Sequence, residues 1–279
     1  MSRFLMSLAS RLPLAFLHAI GALFGWAMYG LSPTYRRHLR DNLEAAGFGD
    51  AATRHAAIAA AGRLLAELPA VWLRPRRTVT ALVRRIHGQE HVDAARAAGQ
   101  GIVFITPHLG CFEVAAQVAA EQMPITVLYR PPKLAWLQPI IEEGRGRDNV
   151  RLARADRSGV RELLAALLRK EAVGILPDQV PGEGEGEWVE FFGRPAYTMT
   201  LAARLAGRPG SVCLLGFGER LPGGAGYVLH IRPLPAAEPG ESATRQMNRA
   251  LEALIREFPG QYLWGYNRYK RPKGAAEPG

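Results

Sequence analysis

The stretch GIVFITPHLGCFEVAAQVAAEQ, residues 101–122, decides the fold class of this chain. It begins with GIVFIT, a continuous apolar run of the kind that a strand buried on both faces of a parallel sheet requires. After a short turn, CFEVAAQVAAEQ (111–122) has the composition and spacing of a helix. The stretch therefore predicts a strand, a turn and a helix in succession, which is the repeating unit of an α/β domain.

The turn carries two side chains that can exchange protons, His108 and Glu113. Positions five apart point about 140° away from each other on one helix, so the two can meet only if His108 lies in the turn before the helix. Ligands of open α/β sheets gather beyond the carboxyl ends of strands, and His108 follows such an end. We therefore predict that His108 is a general base and that Glu113 orients its ring. A solvated loop histidine beside a glutamate that suits the helix dipole is the non-catalytic alternative.

Two further interpretations of the turn stay open. No serine lies between His108 and Glu113, so a substrate hydroxyl activated by His108 is the expected nucleophile, but Cys111 could instead serve a thioesterase or another hydrolase. A non-enzymatic basic protein that binds membranes or nucleic acid is the third interpretation. The two cysteines, Cys111 and Cys213, are too few for a disulfide framework, and no CxxC or His-rich cluster predicts a metal site.

The chain after this stretch continues to alternate between strand and helix patterns. Short apolar runs predict strands at 125–130, 172–179, 211–217 and 227–234. Helical patterns cover 134–147, 158–171, 198–210 and 242–260. The predicted fold class is α/β, with a mixed, largely parallel central sheet flanked by helices on both faces.

The segment before the α/β pattern is strongly apolar. Residues 12–31 contain no Asp, Glu, Lys or Arg, and twenty helical residues just span a hydrocarbon core of about 30 Å. We predict a membrane-anchoring helix that spans the bilayer or lies in its interface; a buried core helix and a cleaved signal peptide are the alternatives. The predicted organisation is an anchor at 1–33, a single α/β domain at 34–272 and a frayed tail at 273–279.

The chain is basic, with 35 Lys and Arg against 25 Asp and Glu and a formal net charge of +10. This balance favours acidic partners such as anionic lipid, nucleic acid or an acidic protein, and does not choose among them. Arg36, Arg37 and Arg40 follow the apolar segment, which favours a catalytic domain on the cytoplasmic side of a membrane.

Several polar and aromatic residues outside the turn are candidates for substrate contact. Cations at strand or helix ends suit phosphate groups, and this set comprises Arg130, Arg145 and Arg147. The other candidates are Asp178 and Gln179 at a strand end, Phe192 as core or as the lining of an acyl channel, and Arg268 in an aromatic segment. The stretch GEGEGE at 182–187 is expected to be a mobile lid or entrance loop.

In order and spacing, the segments HLGCFE, YRPPK, ILPDQ, FFGRPAYT and QYLWGYNRYK resemble the lauroyl/myristoyl transferase family of lipid A secondary acyltransferases. The histidine–acid pair is similar to the HxxxxD/E signature of glycerolipid acyltransferases. The resemblance implies His108 as base with Glu113 as its partner, and Arg130 and Asp178 as substrate-positioning residues. Two departures are Asn267, near which many members have a histidine, and the lack of a clean block with an acidic residue close to an arginine.

The resemblance also implies a reaction and a location. A fatty acyl group passes from acyl carrier protein, or from coenzyme A, to a hydroxyl on an acyl chain of a phosphorylated glucosamine lipid. No cofactor is implied beyond that acyl donor. The implied partners are acyl carrier protein, an anionic glycolipid acceptor and inner-membrane lipid, without nucleic acid. The implied place is the inner membrane, with the catalytic domain on its cytoplasmic face.

Overall fold

Nine strands are found in residues 2–132, 135–275 and 277, the part of the chain that the computed structural model describes. Seven of them form a central sheet and two form a separate antiparallel hairpin. In chain order the strands are β1 (Val83–His87), β2 (Gly101–Ile105), β3 (Ile125–Tyr129), β4 (Val150–Arg154), β5 (Ala172–Ile175), β6 (Gly186–Phe191), β7 (Arg194–Met199), β8 (Ser211–Arg220) and β9 (Tyr227–Pro233).

The central sheet has the strand order β1-β9-β8-β2-β5-β3-β4. Its neighbouring strands run parallel except for the antiparallel pair β8 and β9, which confirms the predicted mixed, largely parallel sheet. Strand β2 lies in the middle, and its residues Ile102, Val103 and Ile105 are fully buried. The continuous apolar run arises because this strand contacts a helical layer on each face.

Helices cover both faces of the sheet, as predicted. Val103 and Ile105 belong to one core cluster together with Leu163 and Leu251, while Ile102 belongs to another together with Val118. The helices are α1 (Ser2–Ser10), α2 (Leu14–Leu31), α3 (Pro33–Ala45), α4 (Ala51–Leu73), α5 (Arg76–Thr80), α6 (Gln89–Ala97), α7 (Phe112–Gln122), α8 (Gln138–Arg145), α9 (Arg157–Leu168), α10 (Thr200–Ala206) and α11 (Ala243–Glu257).

The N-terminal apolar segment forms α2, which lies directly against α4. A Cβ atom placed on Gly62 of α4 would come within 1.9 Å of the carbonyl oxygen of Gly21, and one on Gly25 would come within 2.1 Å of that of Ile58. These glycines therefore let the two backbones touch. Both helices are long and apolar enough to cross a membrane, but only 28% of the α2 stretch is buried against 61% for α4. The boundary drawn at residue 33 stays a prediction.

The stretch expected to be a lid, 182–187, is a turn that leads into the first two residues of a hairpin. Strands β6 and β7 pair from Gly186 to Met199 and are joined by a two-residue turn at Phe192 and Gly193. Both turn residues have positive φ, 49° and 71°, which matches the twist of the flanking strands. Strand β4 was also absent from the prediction. Helix α4 continues through Pro69, where the sequence predicts a kink or a break.

The predicted frayed tail is only partly described. Ala275 is buried against Val180 and Tyr197, so the chain is packed at this point of the tail. Residues 276, 278 and 279 of that prediction lie outside the described residues.

Candidate active site

The turn that carries His108 is fixed by backbone contacts to neighbouring segments. Gly110 N–H donates to the carbonyl of Gln261 at 3.1 Å, and Cys111 N–H donates to that of Gly218 at 2.7 Å. Gly110 has a φ of 56°, and a Cβ there would lie 2.1 Å from the Gly218 oxygen. Glycine at this position therefore allows the turn to approach β8 closely. The His108 ring is presented from a rigid support at the end of β2.

The ring of His108 is held by Asp178, which follows β5. Nδ1 of His108 lies 2.7 Å from Asp178 Oδ1, and the backbone N–H of His108 donates to Oδ2 at 2.8 Å. A carboxylate next to Nδ1 places the ring proton on that nitrogen. Nε2 is then left as an acceptor, and it lies 3.1 Å from Nε2 of the Gln179 amide, which can donate to it. This arrangement leaves the basic nitrogen beside a group that a substrate hydroxyl can displace.

Asp178 remains charged although its residue is only 2% exposed. Burial acts to raise its pKa, but the charge of His108 and the hydrogen bonds from the His108 ring and amide, together with the charge of Arg268, outweigh burial and lower the pKa. Arg268 itself is buried and donates to the Tyr197 carbonyl at 2.9 Å and to the Thr198 hydroxyl at 2.6 Å. The positive charge of Arg268 stabilises the ionised form of Asp178.

Glu113 lies in the first turn of α7 and bonds to different partners from those predicted. Its carboxylate accepts hydrogen bonds from the guanidinium of Arg145 and from the indole N–H of Trp72 at 3.1 Å. The Arg145 guanidinium also lies over the Trp72 ring, 5.3 Å from its centre. The prediction that Glu113 orients the His108 ring is therefore wrong, because Asp178 occupies Nδ1. A catalytic role for Glu113 stays a prediction.

His108 and Glu113 both line one cavity of about 250 Å³ between α7 and the sheet. Its polar residues include His108, Glu113, Arg130, Arg145 and Gln179. Most of its remaining wall is apolar and comes from α6, α7 and the strands; it includes Val92, Phe104, Ala115, Ala116, Ala119, Met123, Ile125, Val127, Leu229 and Ile231. A titratable ring beside an apolar cavity with a few polar groups is the arrangement expected of an active site.

Residues 2–271 match the family described as bacterial lipid A biosynthesis acyltransferase. The chain belongs to this family. It is 30% identical to the lipid A biosynthesis lauroyltransferase of Escherichia coli K12 over 221 residues, which cover 76% of this chain and 70% of the relative.

Two more relatives of this acyltransferase carry related names. One is the lipid A biosynthesis palmitoleoyltransferase of Escherichia coli K12, 28% identical over 68% of this chain and 62% of the relative. The other is a lipid A biosynthesis acyltransferase of Haemophilus influenzae, 26% identical over 63% of this chain and 56% of the relative. The chain thus spans less than two thirds of the length of these two relatives. Family membership supports O-acyl transfer in lipid A biosynthesis and a lipid A-type glycolipid as the acceptor.

Four of the seven predicted substrate-contact residues of this acyltransferase do not line the cavity, and Asp178 is one of them because it bonds to His108. Arg147 donates to the carbonyls of Val71 and Arg74 at 3.0 and 2.5 Å, so its guanidinium caps the C-terminus of α4 instead of facing a phosphate. Phe192 is a hairpin-turn residue whose ring packs in the core, so the acyl-channel prediction is wrong for it. The Arg268 side chain is occupied by β7, as described above, which excludes direct substrate contact. Arg130, Arg145 and Gln179 do line the cavity.

The structure argues against the alternative that uses Cys111 as a nucleophile. The residue is fully buried and is not part of the cavity lining. Burial raises the pKa of the Cys111 thiol well above its usual value, and the charge of Glu67 raises it further. Thiolate is the nucleophilic form, so both effects oppose thiol chemistry here. Among the described residues, no group of three or more His, Cys, Asp or Glu could hold a metal ion.

The sequence did not predict the role of Asp178, and it did not predict Trp72 as a residue of the site. Asp178 was named as a substrate contact, but its pairing with His108 depends on β2 and β5 being neighbours in the sheet. Trp72 comes from the end of α4, 41 residues before Glu113, and no local pattern connects the two.

Proposed function

We propose that this chain transfers a fatty acyl group from a thioester donor, acyl carrier protein or coenzyme A, to a hydroxyl of a lipid A precursor. The observation that carries the proposal is the His108 ring, which is held by a buried carboxylate through Nδ1 and lines an apolar cavity. The cavity matches the chemistry of a fatty acyl chain, and its polar residues match the chemistry of the reacting ester and of phosphate groups.

The reaction needs one base and no enzyme nucleophile. Nε2 of His108 takes the proton of the acceptor hydroxyl as its oxygen attacks the thioester carbonyl. The tetrahedral oxyanion then collapses, the carbon–sulfur bond breaks, and the thiolate receives the proton from the imidazolium. Asp178 stabilises the imidazolium between these two steps. General base catalysis of this kind contributes roughly 10²–10⁴ in rate.

Glu113 has a different role in this proposal from orienting His108. Its carboxylate holds the guanidinium of Arg145 at the cavity, while the Trp72 ring supports the same guanidinium from one side. A guanidinium fixed in this way is suited to a developing oxyanion or to a phosphate. Arg130 at the end of β3 provides a second cation for the phosphate groups of the donor or the acceptor.

The protein contacts the membrane through α1 and α2 in this proposal. The two helices expose large apolar side chains to solvent, namely Phe4, Leu5, Leu8, Phe16, Ile20, Leu23, Phe24 and Leu31. Such a continuous exposed apolar set is typical of a membrane-binding face. The packing of α2 along α4 through Gly21, Gly25 and Gly62 supports a helix that lies in the membrane interface. The cytoplasmic face of the inner membrane is part of the proposal because basic residues follow the helix.

The test is acyl transfer by the purified full-length chain in detergent. The lipid acceptor is incubated with a panel of acyl carrier protein and coenzyme A thioesters of different chain lengths, and its mass is measured. We expect one acyl addition from at least one donor, and loss of that addition in His108→Ala at an unchanged melting temperature. Full activity of folded His108→Ala would contradict the proposal, whereas equal activity with both donor types would leave it intact.

A further inference from the structure

A second cavity, of about 560 Å³, lies on the α2 side of the protein. Its walls come from α2, α4 and the segments 220–223 and 257–261. Small side chains keep it open, since Ala15 and Ala19 face it from α2 and Ala56 and Ala60 face it from α4. The described residues that line it are all different from those that line the active-site cavity.

Arg63 of α4 lines this second cavity and lacks a compensating partner. Its Nε is buried and has no hydrogen-bond partner, and the side chain forms no ion pair with a described residue. Burial and the positive charge of nearby Arg220 lower the pKa of Arg63, while the charge of Glu67 acts in the opposite direction. The half-buried guanidinium thus lies in a region where positive charge is in excess.

The nearest carboxylates are committed to other groups. Glu67 accepts from Arg220 at 2.5 and 2.9 Å and from Tyr227 at 3.0 Å, and it pairs with His18 at 2.9 Å.

Glu257, which also lines the cavity, accepts from the Arg232 guanidinium at 2.5 and 2.7 Å. Neither carboxylate is therefore available to neutralise Arg63. A partly desolvated charge without a partner is costly, and a bound anion removes that cost.

We propose that this cavity binds the phosphate of an anionic membrane lipid, with Arg63 as its main ligand. Guanidinium groups pair well with phosphate through parallel hydrogen bonds. A lipid is the favoured source because Phe16, Ile20 and Leu23 on α2 are exposed to the surroundings, while Ala15 and Ala19 of the same helix face the cavity. The inference rests on the proposed membrane contact of α2 and does not depend on acyl transfer.

The position of the cavity determines what binding does to the protein. Gln261 lines the cavity, and its side chain bonds to the backbone of Arg220 in both directions, at 2.9 and 3.1 Å. The same residue accepts from Gly110 in the catalytic turn through its carbonyl oxygen. An occupant therefore bridges α2, α4 and the segment that supports the turn, so binding should raise the melting temperature.

The test measures melting temperature for the full chain in uncharged maltoside micelles. Three additions are compared: phosphatidylglycerol, diacylglycerol with the same chains, and inorganic phosphate at the phosphatidylglycerol concentration. We expect a concentration-dependent rise with phosphatidylglycerol only. An equal rise with diacylglycerol would overturn the phosphate contact, and an equal rise with inorganic phosphate would overturn the assignment to lipid.

Variants connect the effect to Arg63. We expect Arg63→Gln to lose the phosphatidylglycerol shift, and Arg161→Gln, which removes an exposed arginine of α9, to keep it. Without lipid, Arg63→Gln should melt at or above the wild-type temperature, because it removes an uncompensated charge.

Ala19→Glu places a carboxylate at the cavity and should also abolish the shift in a folded protein. A full phosphatidylglycerol shift in Arg63→Gln, or a lower melting temperature of that variant without lipid, would overturn the proposal. None of these melting-temperature results bears on whether the chain transfers acyl groups. A failure of the lipid-binding proposal can therefore be told apart from a failure of the proposed function.

Discussion

Two histidine–carboxylate pairs of this protein have similar geometry and different surroundings. His108 lies 2.7 Å from Asp178, and His18 lies 2.9 Å from Glu67. In both pairs the carboxylate is buried. The His108 side chain is 16% exposed at a cavity with apolar walls, whereas the His18 side chain is 5% exposed and lies between two helices.

The partners of the two carboxylates explain why we assign a catalytic role to the His108 pair and a structural role to the His18 pair. Asp178 accepts hydrogen bonds from the ring and the backbone N–H of His108, and the positive charge of Arg268 helps to lower its pKa. Glu67 has Arg220, Tyr227 and His18 as direct partners, which join α2, α4, β8 and β9. Because His18 also lines a cavity, the second one, the difference lies in the carboxylates: Glu67 is held by an arginine, a tyrosine and a histidine, whereas Asp178 is bonded to the ring and the amide of His108.

The largest expected effect separates the two pairs by reaction rate. We expect Asp178→Asn to lower kcat by roughly 10²–10⁴, because an amide no longer fixes the Nδ1–H tautomer or stabilises the imidazolium. Its matched change, Glu67→Gln, should keep most of the rate per folded molecule. Steady-state acyl transfer normalised to folded protein checks both variants, and a larger rate loss in Glu67→Gln than in Asp178→Asn would break the comparison.

The reverse difference is expected for stability. Glu67→Ala leaves the buried Arg220 guanidinium without its bidentate partner, and such a change lowers the free energy of unfolding by roughly 3–5 kcal/mol. Urea unfolding of the full chain in detergent measures this loss. The control is Glu257→Ala, whose partner Arg232 is exposed, and it should cost no more than about 1 kcal/mol. Equal losses of unfolding free energy in the two variants would show that the Glu67 cluster does not stabilise the packing of α2 and α4 against the sheet.

The pH dependence of stability sharpens the same comparison. Burial acts to raise the pKa of Glu67, but the charge of Arg220 and the hydrogen bonds from Arg220 and His18 lower it to about 2. An unfolded glutamate has a pKa of about 4.3. Because the folded pKa is the lower one, the stabilisation by Glu67 is complete above about pH 4.3 and is lost as the pH falls toward 2.

The stability difference between wild type and Glu67→Gln should therefore be constant from about pH 7 to 5 and shrink between about pH 4 and 3. Chemical unfolding at each pH measures it. A difference that persists unchanged to pH 3, or that grows on acidification, would contradict the lowered pKa.

The smallest expected effect concerns the apolar cavity beside His108. Ala119 of α7 lines this cavity, and Ala119→Leu adds three carbon atoms to its wall. We expect the preferred acyl donor to become shorter, with discrimination against the original chain length of about tenfold or more. Relative kcat/KM values over a series of acyl donors measure the change. Ala94→Leu, at an exposed position of α6, should leave the preference unchanged, and an unchanged preference in Ala119→Leu would exclude the cavity as the acyl site.

The parts of this fold that the sequence predicted are those set by local patterns. The apolar runs that became β2, β3, β5 and β8 were predictable because strands buried on both faces read as continuous apolar segments, whereas β9 was predictable from its alternation of apolar residues. The turn position of His108 followed from its spacing to Glu113. Strand β4, VRLAR, escaped because it lies at the sheet edge and carries two exposed arginines.

The parts that the sequence did not predict depend on long-range order. Asp178 meets His108 because β5 lies next to β2, and strand order cannot be read from local patterns. Glu113 points to Arg145 and Trp72 because α8 and the end of α4 pack against the start of α7. The hairpin at 186–199 was not predicted, because the glycines and glutamates of 182–187 were interpreted as a loop and conceal the start of the strand that continues through WVEF.

A double-mutant cycle on kcat tests the central claim, that Asp178 and not Glu113 acts through the His108 ring. Acylated acceptor is measured by mass spectrometry for His108→Ala, Asp178→Asn and Glu113→Gln and for the two double variants that contain His108→Ala. We predict that Asp178→Asn causes no further loss once His108 is absent, whereas Glu113→Gln still lowers the residual rate. The account is contradicted if Glu113→Gln is the change that loses its effect in the His108→Ala background while Asp178→Asn retains it.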